Sequence, residues 1–65
     1  MPYIRIESFE GRSIEQKRKL AEGITKLIVE IFKAKQEGVR IVFEDIKKHN
    51  YAHGGLLWTD IEDIK

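Results

Sequence analysis

The stretch SIEQKRKLAEGITKLIVEIFKAK, residues 13–35, decides the fold. Its first four residues, Ser13-Ile14-Glu15-Gln16, fit a capping box, in which the Ser13 hydroxyl accepts from an early helical N–H and the Gln16 side chain reaches back to the cap. Apolar residues then recur at helical spacing at Leu20, Ile24, Leu27, Ile28 and Ile31, and Ala21 and Phe32 widen the stripe. A helix from Ile14 to about Lys35 follows, with one face that has to be covered. Glu15 with Lys19, and Glu22 with Lys26, are acid-before-base pairs four apart, the favourable order on an exposed helix face. Gly23 interrupts the run at a cost of about 1 kcal/mol relative to alanine, which predicts a close backbone approach by another element. Gly38 is read as the cap that ends the helix.

Working outward, residues 2–8 alternate, with Pro2, Ile4 and Ile6 on one side and Tyr3, Arg5 and Glu7 on the other, the period of a strand. Phe9-Glu10-Gly11-Arg12 breaks the alternation, and Gly11 permits a turn that other residues resist. Beyond the helix, the β-branched and aromatic run Val39-Arg40-Ile41-Val42-Phe43-Glu44 predicts a second strand at about 39–45. Strand, helix, strand makes the two strands parallel with a right-handed crossover. One helix covers one face of such a sheet, and the simplest cover for the other is a second copy of the chain. Asp45 to His53 loses periodicity and reads as a loop. Gly54-Gly55 before Leu56-Leu57-Trp58 reads as the tight turn of a hairpin at about 50–58, packing on a neighbouring subunit with Trp58 as its anchor. Thr59-Asp60-Ile61-Glu62 fits either a final helical turn or a loosely ordered tail. The expectation is an α+β fold: one domain over residues 1–65, a single β-α-β unit with parallel strands plus a short C-terminal β-hairpin, assembling into a shared-sheet oligomer.

Composition narrows the function. A chain of 65 residues is close to the size at which a lone domain buries too little surface to stay folded. The absence of cysteine excludes disulfides and thiolate zinc sites, leaving oligomerisation as the source of stability. Twelve Lys plus Arg against eleven Asp plus Glu, a net charge of +1, argues against nucleic acid or a membrane surface as partner. With no charged leader and no apolar run near the length of a membrane span, a cytoplasmic protein is expected.

Pro2 is the only proline and directly follows Met1. Removal of Met1 leaves a free secondary amine, whose charged form is disfavoured by an apolar pocket and by nearby cations, and such a base shuttles protons. The plainer reading is that Pro2 merely begins a strand, where a missing N–H costs little. Arg40 is less easily dismissed, because a cation within an apolar strand needs a ligand or a subunit as partner. His49 and His53 are four apart and would chelate a metal with Asp45 on a helix, but Asn50 and the glycine pair argue for a loop, so no metal site is expected.

Met1-Pro2, Glu10-Gly11-Arg12-Ser13 followed by Glu15-Gln16-Lys17, Val39-Arg40, and Tyr51 ahead of Gly54-Gly55 together resemble the 4-oxalocrotonate tautomerase family over roughly residues 2–57. The resemblance implies a cofactor-free isomerase that interconverts enol and keto forms of a 2-hydroxymuconate-like 2-hydroxy-dienoate, as in the degradation of aromatic compounds. It implies that Pro2 is the general base and that Arg12 holds the substrate's far carboxylate. Arg40 would hold the near carboxylate and the carbonyl oxygen, and so belong to both binding and catalysis. The family's aromatic wall is usually phenylalanine, and Tyr51 in its place adds a hydroxyl that puts the preferred substrate in doubt. Phe9 stands where a leucine contributes its backbone N–H through water. The resemblance also implies a homohexamer, a trimer of dimers, with sites shared between subunits. Two other readings stand beside the tautomerase: a proline-dependent hydratase, dehalogenase or decarboxylase, and a non-enzymatic oligomeric binding module of the same shape.

Overall fold

A computed structural model of the chain describes residues 2–64, with side chains to Glu62. Strand β1 spans Tyr3–Phe9, helix α1 Ile14–Phe32 and strand β2 Arg40–Ile46. Short strands β3, Ala52–His53, and β4, Leu56–Leu57, form a hairpin that runs into helix α2, Trp58–Ile64. Single 3-10 turns at Gln36–Gly38 and Lys48–Asn50 introduce β2 and the hairpin.

The start of α1 is the capping box its sequence spells. The Gln16 N–H donates to Ser13 Oγ at 3.1 Å, and the Ser13 N–H donates to Gln16 Oε1 at 2.9 Å. Its end comes at Phe32 rather than near Lys35, because Lys33 turns into the left-handed region at φ 58°, ψ 34°. Gly38 is therefore not the cap of α1. It closes the next 3-10 turn instead, its N–H donating to the Lys35 carbonyl at 3.0 Å. Gly23 also departs from expectation within the chain: no atom comes within 4 Å of the place a Cβ would occupy.

β1 and β2 pair in parallel, in a register that sets Tyr3 beside Arg40, Arg5 beside Val42, Glu7 beside Glu44 and Phe9 beside Ile46. Ile6 and Phe43 share a cleft with Lys17 and Leu20 of α1, and Lys17 Nζ bonds Asp45 Oδ2 at 2.6 Å, so the helix lies over the face of Ile4, Ile6, Ile41 and Phe43. The opposite face carries Tyr3, Arg5, Glu7, Arg40, Val42 and Glu44, with an Arg5–Glu44 ion pair across the strands. The hairpin turn has φ of 59° at Gly54 and 86° at Gly55, the two left-handed residues of a type I′ turn. Trp58 is not the last residue of the hairpin strand, as its apolar run suggests, but the first of α2. The sequence Thr59-Asp60-Ile61-Glu62 lies inside that helix, and Lys65 lies outside the described residues.

None of the described side chains is fully buried. Ile24 and Ile28 of α1 are half-covered, while Leu20, Leu27, Ile31 and Phe32 stand in the open, the last two at 67% and 68% exposure. The accessible surface is 5489 Å², against about 4,300 Å² for a folded monomer of this mass. The radius of gyration of 15.7 Å likewise exceeds the roughly 11 Å of a compact chain of this length. The chain forms a slab of 46 × 24 × 15 Å with an open apolar stripe on α1. Among the described residues no helix is long and apolar enough to cross a membrane.

Candidate active site

The residues singled out by the sequence fall into two groups, one at each end of the β1–β2 pair. Parallel pairing places the starts of both strands together, so Pro2 lies beside Arg40. The Arg40 N–H donates to the Pro2 carbonyl at 3.0 Å. Both residues line a cleft of about 320 Å³ with Ala34, Lys35, Glu37 and Gly38. Pro2 is half-buried there and Arg40 is exposed. Met1 lies outside the described residues, and with it the expectation of its removal.

At the other end, Phe9, Arg12 and Tyr51 meet in a cleft of about 460 Å³ that Glu7, Ser8, Ile46 and Trp58 complete. The Glu10 N–H donates to the Ile46 carbonyl at 3.0 Å, holding the exit of β1 against the end of β2. Gly11, at φ 123°, then turns the chain so that Arg12 follows at the cleft. Tyr51 is brought in by the hairpin, where the Trp58 N–H donates to the Tyr51 carbonyl at 2.8 Å. Lys48 Nζ bonds Glu62 Oε2 at 3.0 Å and ties α2 back to the turn before Tyr51. The rings of Phe9 and Tyr51 meet edge to face, with centroids 5.4 Å apart. The Trp58 ring stacks on Phe9 at 5.5 Å and touches Tyr51 at 6.0 Å. Trp58 thus joins Phe9 and Tyr51 in one aromatic cluster within the chain.

The four arginines divide sharply. Arg5 pairs with Glu44, and Arg18 with Glu15 at 3.1 Å. Arg12 and Arg40 have no ion pair or side-chain hydrogen bond among the described residues. One unpaired guanidinium therefore stands in each cleft, ready to receive an anionic group through paired hydrogen bonds. The seven-residue strand between the clefts spans roughly 20 Å, so a single chain does not bring Pro2 and Arg12 onto one small molecule. Sequence reasoning passed over Glu7 and Trp58 as residues of a site. The period of β1 does place Glu7 on the face of Phe9, but nothing local signals that α2 folds Trp58 back onto the same spot. Among the described residues, no group of three His, Asp or Glu side chains is placed to hold a metal ion.

A β-α-β unit with parallel strands, a C-terminal antiparallel hairpin, and a proline at the mouth of the first strand define a small α+β protein of the 4-oxalocrotonate tautomerase fold. Residues 2–61 match the model of the family described as tautomerase enzyme, and the chain belongs to that family. It is 37% identical to the 2-hydroxymuconate tautomerase of Bacillus subtilis strain 168 over 95% of this chain and all of the relative. The crystal structure of YwhB, a homologue of 4-oxalocrotonate tautomerase, superposes with a TM-score of 0.83 at 36% identity, covering 91% of this chain and 97% of that one. The heterohexameric 4-oxalocrotonate tautomerase of Chloroflexus aurantiacus J-10-fl superposes with a TM-score of 0.80 at 28% identity, covering 94% and 98%.

Proposed function

We propose that this chain is an isomerase that interconverts the enol and keto forms of a small 2-hydroxy-dienoate of the 2-hydroxymuconate type, with Pro2, freed of Met1, as the general base. The observation that carries this reading is the distribution of the arginines: the two left unpaired are the two that stand in the clefts. Neutral Pro2 takes the proton of the 2-hydroxyl group and returns it to carbon along the conjugated chain, so that no atom is gained or lost. Arg40, beside Pro2, holds the near carboxylate and stabilises the negative charge that builds on the oxygen. Arg12 holds the far end of the substrate against the walls of Phe9 and Tyr51. Both cations also favour the uncharged amine.

The separation of the clefts requires that one copy supply Pro2 and another supply Arg12. Open apolar stripes on α1 and the bare sheet face supply surfaces for that assembly, and a homohexamer built as a trimer of dimers satisfies both. The chemistry calls on no metal or organic cofactor. Ketonisation of 2-hydroxymuconate, followed by ultraviolet absorbance on protein whose mass shows that it begins at Pro2, tests the reading. Turnover that collapses in Pro2→Ala supports it, and turnover no greater than that of the variant overturns it for this substrate.

A further inference from the structure

The cleft that holds Pro2 carries two charges to which the proposed chemistry gives no role. α1 ends at Phe32, and the chain reaches β2 through the 3-10 turn Gln36–Gly38. There the Gly38 N–H donates to the Lys35 carbonyl at 3.0 Å and the Val39 N–H to the Gln36 carbonyl at 3.2 Å. The turn sets Lys35 and Glu37 on the lining of the cleft, beside Pro2 and Arg40. Neither side chain has an ion pair or a side-chain hydrogen bond among the described residues. Lys35 and Glu37 therefore stand at the cleft as a separate cation and anion rather than as a neutral pair.

A base works best when its strength matches the pH at which it operates, and cations alone around an amine make it too weak to take a proton. Lys35 and Arg40 both disfavour the protonated amine, whereas Glu37 favours it. In the assembly proposed above, the Arg12 cleft of another copy joins the same site and brings its Glu7 carboxylate and Tyr51 phenol. Those groups are common to the wild type and to variants of the turn, so their effect cancels when the two are compared.

We infer that Lys35 and Glu37 set the basicity of the Pro2 amine in opposite directions, Lys35 weakening the base and Glu37 restoring it. The inference rests on the proposal that Pro2, freed of Met1, is the base, and adds two residues that act through it. Both side chains are exposed, so solvent and salt weaken their pull, and each moves the amine modestly.

The test is titration of the Pro2 amine itself, by direct-detected nitrogen NMR on protein labelled at proline and verified by mass to begin at Pro2. Pro2 is the only proline, so one signal reports the base. Lys35→Gln is expected to raise the midpoint and Glu37→Gln to lower it, each by about 0.3 to 1 pH unit at low ionic strength, with the double variant close to the wild type. Both shifts should shrink in about 1 M salt, which screens exposed charges. The acidic limb of kcat/KM for 2-hydroxymuconate should move with the midpoint in each variant. If either single variant leaves the midpoint unmoved, or both move it in the same direction, the inference is overturned. Shifts that persist undiminished in high salt also overturn it, because they report a rearranged turn rather than a charge. Opposed, salt-sensitive midpoints with no turnover of the enol overturn the tautomerase reading and leave the inference on basicity standing. Turnover that depends on Pro2, with unmoved midpoints, does the reverse.

Discussion

The backbone N–H of Arg40 donates to the carbonyl of Pro2 at 3.0 Å, so the proposed base and the proposed charge-stabilising residue are locked together by main chain before any side chain is considered. The bond extends the parallel β1–β2 ladder by one residue beyond Tyr3. The bond fixes the two backbones side by side, while the exposed Arg40 side chain carries the charge stabilisation proposed for it.

Pro2→Ala keeps the strand start and removes the ring amine. Its kcat on an active enol substrate is expected to fall by about 10² to 10⁴, the usual share of a positioned base. Protein that retains Met1 should be as poor, because its Pro2 nitrogen is an amide without basicity. Stopped-flow absorbance combined with intact mass checks both.

Arg40 and Arg12 should separate in steady-state kinetics. Arg40→Ala loses stabilisation of the developing oxyanion and is expected to lower kcat by about 10² to 10³. Arg12→Ala should act chiefly on KM, by roughly ten- to a hundredfold for a dicarboxylate, the worth of a charge-assisted hydrogen bond. A larger kcat effect at Arg12 than at Arg40 would reverse the proposed roles.

Leu27 and Ile31 are 57% and 67% exposed on one chain, apolar surface that a second copy would cover in the proposed assembly. Each apolar side chain so covered contributes about 1.5–3 kcal/mol. Leu27→Glu or Ile31→Glu is therefore expected to shift sedimentation velocity from an oligomer to smaller species and to lower the melting temperature with it. For the wild type, the melting temperature should rise with protein concentration. A wild-type chain that sediments as a folded monomer would contradict the assembly.

Gly23 meets no neighbour within its own chain. Gly23→Ala is expected to stabilise by about 0.5–1 kcal/mol through helix propensity if the site stays open in the assembly. A loss of stability, accompanied by dissociation in the ultracentrifuge, would show that a second copy approaches the backbone there. Thermal unfolding at two protein concentrations distinguishes the two.

Gly55 holds a φ of 86° in the turn between β3 and β4. Gly55→Val places a β-branched residue in the left-handed region, at a cost of about 1–2 kcal/mol. The strain falls on the hairpin that carries Tyr51 and Trp58, so kcat/KM should drop more than the melting temperature suggests. Near-ultraviolet circular dichroism, which reports on the packing of Trp58, should change with it.

Local signals made much of this protein legible in its sequence. Ser13 and Gln16 announced the start of α1, the alternation of residues 2–8 announced β1, the β-branched run after Gly38 announced β2, and the glycine pair announced the turn. Each depends on neighbours a few residues apart, whose energetics do not require the rest of the chain. The resemblance at Gly11-Arg12-Ser13 and at Pro2 brought the family and the candidate residues with it. Other features needed the folded chain. Lys33 rather than Gly38 ends α1, because left-handed geometry at a single lysine is a compromise between the helix and the path to β2. The like-charged Glu7 and Glu44 come side by side, with Arg5 paired to Glu44, only once the parallel register is set. The aromatic cluster joins Phe9 to Tyr51 and Trp58 through contacts between elements far apart in sequence, which no periodicity encodes. The separation of Pro2 from Arg12 is likewise a tertiary fact. A seven-residue strand is a rigid spacer, and its length keeps the Pro2 cleft and the Arg12 cleft apart within one chain.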